Sequence, residues 1–354
     1  MKSYNHLYEQ FISDENIKLA IKNVCKHKLK RRRFRELHDH PEKYIDWIRK
    51  NAQDFHNSTH KPIQIYDGIQ RKKRTIIVPS FREQIIHHMI VNVLKPIIMK
   101  PLYEHSYGSI PKRGSTLGMK RIKKWITHDP RNTKYCLKMD IRKYFDSVPH
   151  EVVIGRLKKQ IHDERFLNIL IEIVNVNDHG LPLGFYTSQW LANWYLTGLD
   201  HYIKEKLGAA YYIRYMDDMV IFGPNKRKLH KMRVEIEKYL NDNLGLSLKD
   251  NWQIFPLKAR ALDFMGFKFY RYKVTLRRSI LYKACRKARR MSLNRPSIYC
   301  IKQLLSYLGW FSQTDSYNVF RDRITPYVNI QYLKRRMSRY DKRMAELSGR
   351  LQAA

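Results

Sequence analysis

The chain has 354 residues, 43% hydrophobic and 12% aromatic, with 69 Lys+Arg against 32 Asp+Glu for a formal net charge of +37. That apolar share supports a sizeable core and excludes a disordered basic tail, while so large a positive excess on a folded chain points to a polyanion, nucleic acid first. The start MKSYNHLYEQF lacks an apolar leader core, no apolar run approaches the roughly 18 residues that span a bilayer, and Cys25, Cys136, Cys285 and Cys300 show neither a CxxC pair nor a His at metal-ligand spacing. The expectation is a soluble cytoplasmic protein with reduced thiols, no zinc site and no membrane partner.

Residues 1–60 read as a basic helical segment. Within it Lys28, Lys30, Arg31, Arg32, Arg33 and Arg35 form one dense run, suited equally to a solvated helix face and to RNA contact. From Lys61 to Pro79 apolar and polar residues alternate around Asp67-Gly68, which predicts a two-stranded hairpin with Lys72 and Arg74 on its second strand. Ile85, Met89 and Val93 recur every fourth residue and predict a helix over 81–100, ended by Pro96 and Pro101. YCLKMDIRKYF, 135–145, alternates as a strand does, placing Cys136, Lys138 and Asp140 on one face. YYIRYMDDMVIFG, 211–223, predicts a hairpin with Asp217 and Asp218 at its tip. Leu229, Met232, Ile236, Leu240 and Leu244 then predict a helix closed by Gly245. Past LDFMGFKFY, 262–270, the chain turns Lys/Arg-rich with helical periodicity, and the main boundary is placed near residue 274.

Adjacent carboxylates at the tip of an apolar hairpin repel one another unless a cation neutralises them, so a divalent metal is their natural occupant. Asp140 also ends an apolar strand. Three such groups can bridge two Mg²⁺ ions about 3.5–4 Å apart, which activates an attacking 3′-oxygen and stabilises a leaving pyrophosphate. A lone Asp-Asp pair is more often an ordinary turn. What gives this one weight is its order after the Asp140 strand, intervening helices and GLPLGFYTSQ at 180–189. A two-metal nuclease would share the carboxylates without needing the rest.

Over about residues 61–270 the chain resembles reverse transcriptases, with nearly all their sequence blocks in order. KKRTIIVPSFREQIIHHMI and HSYGSIPKRGS are similar to the fingers blocks, and LKMDIRKYFDSV to the palm block that holds the first catalytic Asp. GLPLGFYTSQ, RYMDD, LSLKDNW and FMGFKF follow as the later blocks do. The resemblance implies an α+β, right-hand polymerase fold. Residues 1–60 would form a basic N-terminal helical segment, 61–274 the fingers and a palm whose antiparallel sheet carries the YMDD hairpin, and 275–354 a helical basic thumb.

It also implies roles. Asp140, Asp217 and Asp218 are the catalytic and metal-holding carboxylates, with the Ile141 carbonyl beside the metals and Asp218 supplying charge more than direct ligation. The ions are two Mg²⁺, with Mn²⁺ as an alternative. Lys72 and Arg74 grip the triphosphate, as a point charge and a guanidinium fork can. Lys249 joins them or protonates pyrophosphate. Phe145 falls where the family places the bulky side chain that blocks a ribose 2′-OH, and a core phenylalanine is the alternative. Leu183 and Gln189 flank the turn that supports the nascent base pair. Gln189 in place of the ring-constrained Pro of other members implies a more mobile backbone there and weaker selection against mispairs.

Gln189 after Ser188, and LSYLGWFSQTDSYN at 305–318, are similar to enzymes of diversity-generating retroelements. SYGS at 106–109 departs from their pattern, and the IPKRG that follows is similar to phage-defence reverse transcriptases. Three functions follow: error-prone cDNA synthesis on a structured RNA in a diversity-generating retroelement, copying of a non-coding RNA in antiviral defence, and a catalytically idle RNA-binding scaffold. Partners implied are the template RNA, an RNA/DNA duplex, dNTPs, and a small accessory protein or a second copy of the chain. Residues 275–354 are too few for an RNase H or DNA endonuclease domain. Tyr307, Trp310, Phe311 and Tyr317 lie among basic residues, suited to stacking on a duplex or, for Trp310 and Phe311 more readily, to core packing.

Overall fold

Ile17, Ala20, Ile21 and Val24 fall at helical spacing, and all are buried on one side of the helix Asp14–Cys25, which Ser13 opens by accepting the Asn16 N–H. That side packs on the helix Phe81–Met99. The buried Asn16 and the half-buried Asn92 tie the two: Asn16 Nδ2 donates to the Met89 carbonyl at 3.1 Å, and Asn92 Nδ2 to Asn16 Oδ1 at 2.9 Å. The basic N-terminal helices are therefore built into the same core as the residues that follow them.

The computed structural model describes residues 3–67, 72–293 and 295–353. Its contacts divide the chain into two units, Met1–Gly114 with Leu137–Ile254, and Ser115–Cys136 with Phe255–Ala354. This does not follow the expected linear division at 60 and 274. The chain crosses between units inside two strands, at residues 136–137 and 254–255. Among the described residues no helix is long and apolar enough to cross a membrane, and no disulfide joins the cysteines.

In the first unit, β1 (Ile63–Asp67) and β2 (Lys72–Ile76) form the expected antiparallel hairpin, with Ile65 opposite Arg74. Its tip, including Gly68, lies outside the described residues. Ser80 and Glu83 form a capping box that starts Phe81–Met99. Against expectation, that helix runs on through Pro96. A proline there removes one backbone bond near the helix end, and the burial of Val93, Leu94, Ile97 and Ile98 around it offsets the loss.

Glu83 is wholly buried. Burial pushes its carboxyl up, but the Ser58 N–H (2.7 Å), His60 (2.9 Å), and the Ser80 N–H (2.6 Å) and hydroxyl outweigh this and hold it at about 2. A depressed carboxyl contributes stability above its unfolded value of 4.5 and loses it as pH falls to about 2. The shift corresponds to about 3 kcal/mol. Glu83→Gln is therefore expected to be less stable at neutral pH and flatter between pH 4.5 and 2 in urea unfolding. Equal pH slopes for parent and variant would remove Glu83 from the acid response.

The main sheet has the order β3-β5-β6-β4-β7, from β3 (Ser106–Tyr107), β4 (Tyr135–Asp140), β5 (Tyr211–Tyr215), β6 (Asp218–Gly223) and β7 (Gln253–Pro256). The β5–β6 hairpin is antiparallel, whereas β3 runs parallel to β5, so the sheet is mixed rather than wholly antiparallel. β4 ends at Asp140, as expected, and the alternation that runs on to residue 145 is not strand. Ile141 makes a single bridge to Leu248, Lys143 takes a positive φ of 41°, and Tyr144–Ser147 is one helical turn. Tyr144 is buried there, its hydroxyl donating to the Ala192 carbonyl. The helix Lys226–Leu244 is as expected, with Leu229, Met232, Ile236, Leu240 and Leu244 buried and Gly245 closing it at φ 59°.

In the second unit, the helix Ser115–His128 buries Met119, Ile122, Trp125 and Ile126. β8 (Leu262–Phe264), β9 (Phe267–Phe269) and β10 (Val274–Leu276) form a small antiparallel sheet, so a cut at residue 274 runs through it. The helices Arg278–Leu293, Ile298–Phe311, Tyr317–Arg323 and Ile330–Ala353 follow. Trp310 stacks on Phe267 at 5.1 Å and Phe311 is buried, which is the packing role. Tyr317 stays exposed.

Candidate active site

Tyr215 pairs with Asp218 across the β5–β6 hairpin, which leaves Met216 and Asp217 as its two-residue turn. Asp217 is thus at the tip and Asp218 is the first residue of β6. Met216 has φ 55°, a left-handed conformation that costs a non-glycine residue about 1–2 kcal/mol. Its N–H donates to the Tyr107 carbonyl at 3.1 Å, and a Cβ on Gly108 (φ 92°) would lie 3.0 Å from Met216 Cγ. The turn is held from the β3 side by a position where a side chain would crowd it.

Asp140, at the end of β4, is brought beside Asp217. Burial raises the Asp217 carboxyl above the ordinary carboxylate range, and the charge of Asp140 adds to the push. Asp140 Oδ1 is buried with no hydrogen-bond partner, while Oδ2 pairs with Lys249, whose N–H also donates to the Asp140 carbonyl at 2.8 Å. Lys138 Nζ stands 3.6 Å from Asp218 Oδ2. Crowded carboxylates with an unsatisfied buried oxygen are a donor set that suits a hard divalent cation.

The expected triad is nevertheless arranged as a pair plus one. Among the described residues no three His, Cys, Asp or Glu side chains cluster in a way that could hold a metal ion. Neighbouring residues at the start of a strand diverge, and each outer carboxylate has its own lysine, Asp140 with Lys249 and Asp218 with Lys138. Ile141 is buried beside Asp140.

The block at 180–189 is wedged against this centre. The Leu181 N–H donates to the Phe145 carbonyl at 2.7 Å, and a Cβ on Gly180 (φ 74°) would lie 2.4 Å from that oxygen. Phe145 is half-buried, with its ring edge-on to Tyr144 at 5.7 Å, and is not enclosed in the core. The Leu183 carbonyl accepts the Ile77 N–H at 2.8 Å, and a Cβ on Gly184 (φ 118°) would lie 2.1 Å from the Ile77 carbonyl. The end of the β1–β2 hairpin is thereby joined to the turn that holds Leu183. Arg74 is exposed on that hairpin, and the Lys72 side chain lies outside the described residues.

Gln189 does not sit in a loose turn. It belongs to the first turn of the helix Tyr186–Tyr195, where its carbonyl accepts Asn193 Nδ2 at 3.1 Å. The sequence reading missed Lys138 as the partner of Asp218, and Asp200 and Arg214 altogether. Arg214 carried a usable signal: an arginine inside the apolar strand YYIRY needs a buried partner.

A family model described as reverse transcriptase (RNA-dependent DNA polymerase) matches residues 57–269. Among curated proteins, the retron Ec73 reverse transcriptase of Escherichia coli is 25% identical over 232 residues, 60% of this chain and 71% of that protein. The group II intron-encoded protein LtrA of Lactococcus lactis subsp. cremoris is 26% identical over 174 residues, 45% of this chain and 28% of that protein. Among solved structures, telomerase from Candida albicans, in complex with a fragment of telomeric RNA, is 12% identical over 80% of this chain and 60% of that one, at a TM-score of 0.48. With the family model covering more than half of its length, and with the hairpin carboxylates and Asp140 inside the matched span, this α+β chain belongs to the reverse transcriptase (RNA-dependent DNA polymerase) family.

Proposed function

We propose that the chain synthesises DNA on a structured RNA template by two-metal-ion nucleotidyl transfer. The observation that carries this is the crowding of Asp217 against Asp140, with Asp218 next in line, inside the span that the family model covers. Asp140 and Asp217 hold the divalent ions, and Asp218, braced by Lys138, adds charge. Those ions, Mg²⁺ with Mn²⁺ as the alternative, supply the Lewis acidity that activates a 3′-hydroxyl and neutralises a leaving pyrophosphate. Lys249, paired with the Asp140 carboxylate, joins Lys72 and Arg74 on the triphosphate or protonates the leaving pyrophosphate. Lys72 and Arg74 grip the triphosphate from the hairpin, and the half-buried ring of Phe145 meets the sugar. The basic surface holds the template and the RNA/DNA duplex, in a cytoplasmic setting that also admits an accessory protein or a second copy of the chain.

Primer extension on a structured RNA with dNTPs and Mg²⁺ tests the reading. Full-length DNA is expected, and its absence would favour an idle scaffold, while RNA cleavage would favour a nuclease. In the same assay Phe145→Ala should admit ribonucleotides about tenfold more readily, since a steric gate needs no hydrogen bond. Unchanged sugar selection would return Phe145 to packing. Sequencing the DNA separates the biological roles: errors gathered at template adenines support diversification, the role suggested by Gln189 after Ser188, and uniformly low error supports phage defence.

A further inference from the structure

Arg214 and Asp200 are wholly buried and joined in two parallel bonds, Nε to Oδ1 at 2.8 Å and Nη2 to Oδ2 at 2.6 Å. The Tyr212 hydroxyl donates to Asp200 Oδ1 at 2.7 Å and the Ser106 hydroxyl to Oδ2 at 3.1 Å. The carboxylate is thereby saturated, and the guanidinium has donors beyond those it gives Asp200, with Nη2 also reaching Ser106 Oγ at 3.2 Å and the Asn193 carbonyl at 3.3 Å. Its Nη1 donates to the Met216 carbonyl at 2.9 Å. Asn193 closes the remaining side, with Nδ2 donating to the Gly108 carbonyl at 3.2 Å and contacting Met216 Sδ at 3.3 Å.

Desolvating an ion pair commonly costs as much as its attraction returns, so an apolar pair of similar volume would serve stability as well. What an apolar pair cannot do is hold a carbonyl. The Met216 carbonyl belongs to the peptide bond that leads into Asp217, and a peptide bond is planar. Gripping that oxygen holds Met216 in its left-handed conformation and fixes the plane from which Asp217 projects. We propose that the buried Asp200–Arg214 pair, with Asn193, is a positioning device that sets the Met216–Asp217 peptide so that the Asp217 carboxylate faces Asp140. The inference rests on the reading of Asp217 as a metal-holding carboxylate.

Arg214→Lys keeps a positive charge against Asp200, but one ammonium lacks the planar fork needed to serve both the carboxylate and the Met216 carbonyl. In the full chain, kcat for primer extension should fall roughly 10–100-fold, the scale of a misplacement of about 1 Å, with the KM for dNTP and RNA affinity unchanged and cooperative unfolding retained. Mn²⁺ binding, followed by electron paramagnetic resonance without nucleotide, should weaken in parallel. Adding Met216→Gly should recover part of both losses, because glycine enters the left-handed region freely. If Arg214→Lys does not fold, Tyr212→Phe removes one hydroxyl from Asp200 and should lower kcat about two- to tenfold. An unchanged kcat or an unchanged Mn²⁺ affinity in the folded variant overturns the proposal. A parent that extends no primer overturns the reading of function instead, and the Mn²⁺ comparison then decides the placement of Asp217 by itself.

Discussion

Asp217→Asn is expected to abolish DNA synthesis, a loss of at least about 10³-fold, while RNA affinity stays within about twofold. Asn keeps the size of the side chain and removes its charge, so it fits the turn but cannot hold a divalent ion as a carboxylate does. The same change relieves a buried charge facing Asp140, so the variant should be at least as stable as the parent. RNA contact rests on many lysines and arginines, and removing one carboxylate leaves them in place. Primer extension and filter binding on the same preparation check both halves. Synthesis by the variant at even a tenth of the parent rate would remove Asp217 from the reaction.

RNA affinity itself should fall about 10³–10⁵-fold between 50 and 200 mM salt, as expected for roughly 6–10 phosphate contacts. The charge available for this is large and in part unsheltered: Lys26, Arg31, Arg32 and Arg33 are exposed around the start of the helix Arg32–Asp39. Replacing one such residue should reduce the slope by about one contact and weaken all RNAs alike. A flat titration would mean that the positive charge meets a different anion.

Where burial alone decides the local structure, the sequence was a sufficient guide. The apolar repeat at Leu229, Met232, Ile236, Leu240 and Leu244 produced its helix, and the apolar arms around Asp217-Asp218 produced their hairpin. It misled where a distant partner decides. Pro96 should break a helix, yet burial on either side carries the helix through it. The alternation runs on past Asp140 to residue 145, yet only the part up to Asp140 is strand, and the Tyr144 hydroxyl bonds the distant Ala192 carbonyl. The site divides in the same way. Asp140 and the hairpin carboxylates could be read from pattern, because charge inside apolar segments is conspicuous. The pairing of Asp218 with Lys138, and of Arg214 with Asp200, depends on which residues the sheet and the helices bring together, and no local pattern encodes that.

The second unit has a consequence for the order in which the molecule can form. Its helix Ser115–His128 is separated from Phe255–Ala354 by Leu137–Ile254, which belongs to the other unit. At about 5–20 residues per second, a ribosome needs roughly 6–24 s to make that intervening stretch. Through that interval Met119, Ile122 and Ile126, buried in the finished protein, cannot yet be covered by the part of their unit still to be synthesised. The second unit therefore cannot be completed until Phe255–Ala354 has been made, well after its own helix Ser115–His128 has left the ribosome.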